Sequence, residues 1–436
     1  MAFEDEELNK RREERRQEQQ FLARQQRFLK IGIVMTAVTL VVCAAALLIA
    51  NGIINAPREP ELSTPPAIQT QPTETEPAPT VPDTVIHIVA GGDLNVTDKT
   101  VASGTAVSGY DYTDVFLDVV PVLSGADLAI LNFEGSLYGA PYGSENRSAP
   151  NQMLQGLQQA GVDMLQAANS QTVVNGLSGL SSTLQGIRNA GMVPLGAYAT
   201  AKDFKDSGGY YIREIQGIRV AFVAFTKGMD GMGLPEGNED CVNLLYKDYN
   251  STYQKVDTEG ITKILRAAAA KKPDVTIALL HWGSEFNSKI SSTQEKICKL
   301  MQEEGVDAII GTHSHYVQTL EYDENAGKLV AYSLGDFFGD ADKAGTDYSV
   351  LLDLQITKNG TTGETRITGY DYTPVYTLDE SETGGGMRIL RIREAVAAYE
   401  SNFIGKVSDE AYTAMKSALE KIDSRMGKSN VKSAVP

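Results

Sequence analysis

Residues 305–321 read GVDAIIGTHSHYVQTLE and join a short apolar run to a pair of histidines. The run from Val306 to Ile310 has the length and composition of a buried strand. Side chains two positions apart in an extended chain point to the same side. We therefore expect His313 and His315 to reach one small region if the chain stays extended through Ser314. Imidazole is a common metal ligand, so the stretch predicts a metal site at the C-terminal end of a strand.

Of the other two histidines, we interpret His281 as a candidate site residue and His87 as a structural residue. The chain has four histidines, and His281 follows the apolar run TIALL much as His313 follows its own run. A single histidine is more often a hydrogen-bonded structural group than a metal ligand, but three at strand ends favour a shared site. His87 lies within the apolar stretch TVIHIVAGGDLN, and we interpret it as structural.

The composition of the chain limits the classes of partner. Its 436 residues exceed one average domain, and we expect one large domain with appendages. The net charge of −17 argues against a nucleic-acid surface and against binding to anionic lipid head groups. Cys43 lies in an apolar N-terminal run, so only Cys241 and Cys298 could form a disulfide, and the sequence does not require one.

The N-terminal part of the chain differs from the rest. Residues 1–30 carry eight Lys/Arg and seven Asp/Glu and are predicted to be a polar cytoplasmic tail. No charge occurs from Ile31 to Ala56, a run too long for a cleavable signal peptide, and we assign a transmembrane helix to residues 31–54. Because the basic residues precede this run and only Arg58 follows closely, the positive-inside rule predicts that the remainder is extracellular. Residues 55–83, rich in Pro, Thr and Glu, are predicted to be an extended linker.

From residue 84 onward, apolar strand-like runs alternate with helical segments. Polar residues follow several of these runs, as Asp93 does the first and Asn132 and Glu134 do the second. Such alternation predicts a layered α/β fold with a site at the C-terminal ends of the strands, although each polar residue alone is more often a turn residue. We assign the domain to residues 84–380 and a helical extension to residues 381–436.

Two local turns are also predicted. The pair Gly91-Gly92, just before Asp93, is typical of a glycine turn at the end of the first strand. The pair Asn359-Gly360 lies within a stretch of alternating apolar and polar residues and predicts a hairpin that belongs to a second sheet.

Six motifs, taken in order, resemble a known family. They are GGD (Gly91–Asp93), NFEG (Asn132–Gly135), AN (Ala168–Asn169), HWGSE (His281–Glu285), GTHSH (Gly311–His315) and YSLGDF (Tyr332–Phe337). The family is that of the CapA-type capsule-synthesis proteins, which are associated with poly-γ-glutamate capsules and share the calcineurin-like metallophosphatase fold. The resemblance covers residues 84–380 and implies a four-layer α/β-β-α sandwich with a metal centre between its sheets. Anchoring by one preceding transmembrane helix also suits the family.

The resemblance assigns roles to residues of the site. The positions that match metal ligands of the family are Asp93, Glu134, His281, His313 and His315. Carboxylates combined with imidazoles suit Mn, Fe or Zn better than Ca or Mg, so we expect one or two divalent transition-metal ions. The other residues that we expect to line the site are Asn95, Asn132, Asn169, Ser170, Gln171, Glu285 and Asp336.

Four positions depart from the family's pattern. The ANNH motif appears with Ser170 and Gln171 in its last two positions, an acidic residue expected soon after is Val174, and Asp336 replaces a usual Asn. Serine is a weaker ligand than the amide it replaces, and glutamine cannot titrate near neutral pH. The resemblance therefore implies a partly degraded metal site.

These features support one leading interpretation and two alternatives. The leading one is a membrane-anchored extracellular protein in synthesis, export or tethering of an anionic surface polymer, with other membrane capsule-synthesis proteins as candidate partners. The first alternative is an active metal-dependent phosphoesterase or amide hydrolase of cell-envelope material, which turnover would reveal. The second is a non-catalytic envelope scaffold, which would keep its function when His281 and His313 are changed.

Overall fold

The computed structural model describes residues 81–430. The strands are β1 (Thr84–Asn95), β2 (Leu128–Glu134), β3 (Met164–Gln166), β4 (Val193–Leu195), β5 (Tyr211–Ile215), β6 (Ile218–Thr226), β7 (Val275–His281), β8 (Ala308–Thr312), β9 (Leu320–Asp323), β10 (Lys328–Ala331), β11 (Asp336–Phe338), β12 (Tyr348–Lys358), β13 (Thr365–Leu378) and β14 (Arg388–Arg391). The α-helices are α1 (Asp98–Ala102), α2 (Thr113–Phe116), α3 (Val120–Leu123), α4 (Asn151–Ala160), α5 (Gly176–Asn189), α6 (Ala201–Ser207), α7 (Thr258–Ala269), α8 (Ser292–Glu303), α9 (Glu380–Thr383), α10 (Ile392–Glu400) and α11 (Asp409–Met426).

The strands form two sheets. The first has the order β14-β13-β12-β1-β2-β3-β4 with β11 beside β1, and the second has the order β5-β6-β7-β8-β10-β9. Strands β1 to β4 are parallel to one another, as are β6, β7, β8 and β10. The C-terminal ends of the parallel strands therefore meet along one edge of each sheet, which is where ligand sites of α/β folds lie.

Three apolar clusters show that the domain has four layers. One cluster lies between the two sheets and includes Ile88 of β1 and Phe222 of β6. A second packs the other face of the first sheet against α4 and α5. The third packs the second sheet against α7 and α8. This is the α/β-β-α order that the family resemblance implied.

The helices of the outer layers follow from local sequence. In α7, Ile261 and Leu265 are four residues apart and both buried, and the Asp257 side chain caps the first turn. Helix α8 begins with a capping box between Ser291 and Gln294. Each helix therefore presents one apolar face to the second sheet.

The C-terminal segment, described as far as residue 430, belongs to the same compact unit as the strands before it. Strand β14 pairs with β13 at the edge of the first sheet. Helix α11 buries Met415 and Ile422 in the cluster between the sheets and contacts β12 and β13 of one sheet and β9 of the other. We predicted residues 381–436 as a helical extension, and the described part of it, residues 381–430, also adds strand β14 to the first sheet and contacts both sheets.

Two predicted turns differ from the structure. Strand β1 continues through Gly91-Gly92 to Asn95, with a bulge between Ala90 and Asp93 in place of a turn. The hairpin of β12 and β13 joins the first sheet, because β12 pairs with β1, and its connection extends from Asn359 to Glu364. The two-residue turn and the second-sheet assignment were therefore wrong.

The predicted membrane segment lies outside the described residues, as do the tail of residues 1–30 and most of the linker. Between residues 81 and 430, no helix has the length and apolar character needed to cross a bilayer. Cys241 and Cys298 are both buried free thiols, so they do not form the disulfide that the sequence allowed.

Candidate metal centre

The first sheet contributes carboxylates and amides at the ends of its central strands. In the parallel register of β1 and β2, Asp93 lies opposite Asn132 and Asn95 lies opposite Glu134. Strand β11 places Asp336 opposite Asp93 on the other side of β1. All five residues are buried, so three carboxylates lie close together with little access to water.

The second sheet contributes the histidines. Strand β7 ends at His281, which lies opposite Thr312 at the end of β8. The chain then leaves the strand, and His313 and His315 have φ angles of 87° and 59°, so the expectation of an extended chain through Ser314 is wrong. This left-handed backbone costs on the order of 1–3 kcal/mol per non-glycine residue and is concentrated at functional sites. The ring centroid of His313 nevertheless lies 4.5 Å from the ring centroid of His281 and 6.2 Å from that of His315.

Asp93, Glu134 and His281 form a compact set that we call the His281 group. One ligand atom from each lies within 4.8 Å of the others. His281 Nε2 is 3.5 Å from Glu134 Oε1, and His281 Nδ1 is 3.9 Å from Asp93 Oδ1. Asn132 Nδ2 lies among them, 2.6 Å from Asp93 Oδ1 and 3.3 Å from both Glu134 Oε1 and His281 Nδ1.

Asp93, His315 and Asp336 form a second set, the Asp336 group, with the same 4.8 Å limit. His315 Nδ1 is 2.7 Å from Asp336 Oδ1 and 3.8 Å from Asp93 Oδ2. Asn95 Nδ2 donates to Asp336 Oδ1 at 3.1 Å. Asp93 thus belongs to both groups and turns one oxygen toward each, an arrangement that lets one carboxylate serve two ligand sets.

The electrostatics of the cluster favour a bound cation. Burial raises the pKa of Glu134, and the Asp93 carboxylate raises it further. Burial also raises the pKa of Asp336, although His315 opposes it. Burial lowers the pKa of His315, but the carboxylates of Asp336, Asp93 and Glu134 outweigh it and raise the pKa to about 10. Burial thus disfavours the ionised forms of Glu134 and Asp336, and a cation among these groups would offset that cost.

His313 gives independent support for a metal ligand role. Its Nδ1 and Nε2 atoms are both buried, and neither has a hydrogen-bond partner among the described residues. Burial is the main cause that lowers the pKa of His313, and this favours the neutral ring. Buried polar atoms are rarely left unsatisfied, and neutral imidazole is a good ligand for Mn, Fe or Zn. The cluster therefore fits a divalent transition metal, which would act as a Lewis acid on a water or carbonyl oxygen.

The six candidate ligands are the predicted Asp93, Glu134, His281, His313 and His315, together with Asp336. The loop after β3 supports them. Asn169 Nδ2 donates to Asn132 Oδ1 at 3.1 Å and so fixes the orientation of that amide. Ser170 Oγ lies 3.1 Å from His281 Nε2 and contacts the cluster directly.

The last two predicted residues lie farther out. Gln171 Nε2 donates to Asp230 Oδ2 at 3.0 Å. Glu285 Oε1 lies 4.0 Å from His315 Nε2, and its side chain is 47% exposed. The structure therefore brings every predicted site residue into one region, and their roles as ligands stay predictions.

A pocket of about 300 Å³ opens onto the cluster. Glu134, His315 and Asp336 form part of its wall. At its mouth, Phe286 stacks on His315 with ring centroids 5.0 Å apart, and Lys343 Nζ lies 3.1 Å from the centroid of the Phe286 ring. A small polar ligand could reach the cluster by this route.

The sequence of this domain also matches a defined family. Residues 87–341, more than half of the chain, match the family described as "Bacterial capsule synthesis protein PGA_cap". The chain belongs to this family. The PGA_cap match contains both the His281 group and the Asp336 group, as well as His313.

Two relatives of this PGA_cap chain have CapA in their names. "Capsule biosynthesis protein CapA" of Bacillus anthracis is 27% identical over 262 residues, which cover 58% of this chain and 60% of that protein. "PGA biosynthesis protein CapA" of Bacillus subtilis (strain 168) is 25% identical over 345 residues, which cover 78% of this chain and 85% of that protein. The match thus spans less than two thirds of the B. anthracis protein.

Two solved structures resemble the PGA_cap domain with low TM-scores and low sequence identity. A putative 5'-nucleotidase from Staphylococcus aureus has a TM-score of 0.43 and 12% identity, covering 78% of this chain and 59% of that chain. A phosphatase from Mycoplasma pneumoniae has a TM-score of 0.40 and 14% identity, covering 67% of this chain and 93% of that chain.

Trp282 packs against the strand ends of the PGA_cap site, in the cluster on the helix-covered face of the second sheet. Its side chain is fully buried, stacks on Tyr332 with ring centroids 5.8 Å apart, and donates from Nε1 to Tyr332 O at 2.9 Å. Gly311 lies against both groups, and a Cβ there would overlap the Tyr332 carbonyl oxygen. The backbone that carries His281 and His313 is therefore held in place by close packing.

Sequence reasoning missed four residues around the PGA_cap site. Arg147 and Lys343 line the pocket, and Phe286 covers His315. These three lie in loops where no periodic pattern marks them. Lys227 follows the apolar strand IRVAFVAFT just as His313 follows its strand, so its position was a signal that could have identified it.

Proposed function

We propose that this chain is a membrane-anchored extracellular protein that acts in synthesis, export or tethering of an anionic surface polymer such as poly-γ-glutamate. The observation that carries the proposal is that the family match contains the buried cluster from Asp93 to Asp336. The names of the two relatives, which refer to capsule and PGA biosynthesis, support the same class of process.

The pocket has features that suit an anionic ligand. Arg147 and Lys343 are the arginine and the lysine of its lining, which also carries six carboxylates, those of Glu134, Asp230, Glu285, Asp336, Asp340 and Asp342. A guanidinium offers paired donors that match a carboxylate or phosphate, and Lys343 adds a second positive charge. The buried carboxylates of the cluster would repel such a ligand by themselves, so binding requires the divalent cation that the cluster fits.

Loss of this chain from the producing cell should lower the amount of surface-attached anionic polymer, and the wild-type gene should restore it. Because the proposed orientation places the domain outside, protease added to intact cells should remove it while leaving a cytoplasmic marker intact. Surface polymer is measured by extraction and chemical assay, and the domain by immunoblot. An unchanged polymer level in the deletion strain would reject the proposed function, and a protected domain would reject the orientation.

The hydrolase alternative depends on Ser170 and Gln171. Ser170 gives His281 only a hydroxyl contact, and Gln171 is hydrogen-bonded to Asp230 and cannot transfer protons near neutral pH. We therefore predict little or no turnover of generic phosphodiesters by the wild-type protein at full metal loading. Ser170→Asn with Gln171→His should raise metal occupancy and bring measurable hydrolysis.

The matched control carries Ser181→Asn with Gln185→His, the same chemical changes at exposed positions of α5. It should leave metal occupancy and turnover at the wild-type level. Metal loading is equalised before rates are compared. Wild-type turnover at rates typical of enzymes, about 1 to 10³ per second, would show that the site is not degraded and would favour the hydrolase.

A further inference from the structure

The pocket over the cluster carries negative charges that the protein leaves unpaired. Of its six carboxylates, two belong to the candidate metal centre, and Asp342 forms an ion pair with Lys99. Within residues 81–430, no lysine or arginine forms an ion pair with the remaining three, which are Asp230, Glu285 and Asp340. These carboxylates would therefore keep their charge uncompensated even with a metal ion in the centre.

The two basic residues of the pocket also lack an acidic partner. In the described part of the chain, neither Arg147 nor Lys343 forms an ion pair. Arg147 Nη1 donates to Val96 O at 3.3 Å, which leaves the other N–H groups of the guanidinium for a ligand. The Lys343 ammonium lies over the Phe286 ring at the mouth. Charges of both signs thus line one pocket without neutralising each other.

Asp230 is held in place by a residue at which the chain departs from the ANNH motif. Gln171 Nε2 donates to Asp230 Oδ2 at 3.0 Å. Gln171 is itself buried, and its backbone N–H donates to Asn169 Oδ1 at 3.0 Å, so the loop after β3 fixes its position. Among the described residues, none donates a hydrogen bond to Asp230 Oδ1. Gln171 therefore fixes a carboxylate of the pocket wall that still has one oxygen to offer a donor.

An anionic polymer of amino acids differs in charge between its interior and its amino-terminal end. In a chain of γ-linked glutamate, each interior nitrogen belongs to an amide, whereas the terminal residue has an ammonium next to its carboxylate. An interior segment would bring only negative charge to the three unpaired carboxylates and would be repelled. The terminal residue brings one charge of each sign. The pocket volume of about 300 Å³ is small for a ligand site and suits an end better than a long segment.

We propose that the pocket binds the amino-terminal end of the polymer. Arg147 binds the carboxylate of the terminal residue, Asp230 accepts a hydrogen bond from its ammonium, and Lys343 contacts the carboxylate of the next residue. This inference rests on the proposed function, from which it takes the polymer, and adds which part of the polymer the site recognises. The protein then holds the polymer by one end and leaves the rest of it free.

Two short oligomers of γ-linked glutamate test the inference, one with a free amino terminus and one with that terminus acetylated. Acetylation removes the ammonium and keeps every carboxylate. The full-length protein, purified in mild detergent and loaded with Mn²⁺, should bind the free oligomer at least about tenfold more tightly in isothermal titration. Equal binding of the two, or binding of neither, would overturn the recognition of the end. The proposed function is tested separately, because it fails only if the deletion strain keeps its surface polymer.

Substitutions of single residues assign the roles. Asp230→Asn keeps the size of the side chain and loses its charge, so its affinities for the two oligomers should agree within about twofold. Arg147→Gln should weaken binding of both oligomers. Asp240→Asn, the same change as at Asp230 but at an exposed position outside the pocket, should keep the wild-type preference. Asp230→Ser is used if the asparagine variant does not fold. A folded neutral variant of Asp230 with the wild-type preference would overturn the role of this residue.

Free glutamine distinguishes a polymer end from a free amino acid. It has the same ammonium and carboxylate, and its side-chain amide takes the place of the linkage to the next residue. Because it lacks the second carboxylate that Lys343 contacts, it should bind more weakly than the free oligomer. Glutamine that binds as tightly as the oligomer would overturn the polymer end and assign the pocket to a free amino acid.

Discussion

Replacing Gly92 with alanine should lower the free energy of unfolding by at least about 3 kcal/mol, at the upper end of the range for overpacked cores. A Cβ at this position would overlap the Gly335 carbonyl oxygen, which is backbone and cannot rotate away. That same oxygen accepts a hydrogen bond from Asp93 N at 2.9 Å. The substitution therefore separates β1 from β11 and displaces Asp93 from Asp336. Urea titration followed by circular dichroism measures the loss.

Gly385→Ala is the matched control for this experiment. Nothing lies within 4 Å of a Cβ built at Gly385, so alanine there should change the unfolding free energy by less than about 0.5 kcal/mol. We also expect Gly92→Ala to lose bound metal even where residual structure persists, because Asp93 belongs to both ligand groups. An alanine variant as stable as the wild type would show that β1 and β11 are not in close contact.

Changing His313 and His315 together to alanine should abolish binding of the divalent metal and the stability that it adds. A ligand that binds only the folded state stabilises it by about 2.7 kcal/mol at a concentration of 100 times its Kd. The wild type should therefore melt at a higher temperature with Mn²⁺ or Zn²⁺ than with chelator, and the double variant should melt at the same temperature in both. Comparing each protein with itself removes the cost of the lost His315–Asp336 contact.

The remaining histidine outside the cluster supplies the control. His87 Nδ1 lies 3.0 Å from Asp353 Oδ1. His87 is in the part of β1 that pairs with β12, opposite Gln355 and before the strand reaches Asp93. His87→Gln should leave metal content and the metal-dependent shift in melting temperature unchanged. Retention of full metal content by the double alanine variant would remove both residues from the ligand set.

The sequence predicted those parts of the site that periodic patterns mark. Asp93, His281 and His313 were found because each follows an apolar run, and parallel strands bring such ends together. The left-handed backbone at His313 and His315 could not be predicted, because it depends on contacts that form only after the two sheets pack. The ring positions were therefore right while the reason given for them was wrong.

The missed features depend on contacts between distant parts of the chain. The bulge before Asp93 requires Gly335, which is more than two hundred residues away in sequence. Lys227 looks like an ordinary solvated lysine unless the register of β6 and β7 is known. Helix α11 has a charged sequence with only a narrow apolar stripe, and that stripe packs on a cluster formed by strands of both sheets.

The placement of Trp282 gives this protein an internal optical probe. It is the only tryptophan of the chain, so the emission excited at the indole band comes from one position next to His281. The burial of the ring and its hydrogen bond to Tyr332 O determine the wavelength of that emission. Any rearrangement of the β7 end, by a metal, a polymer segment or a substitution, is therefore readable by intrinsic fluorescence without attaching a dye.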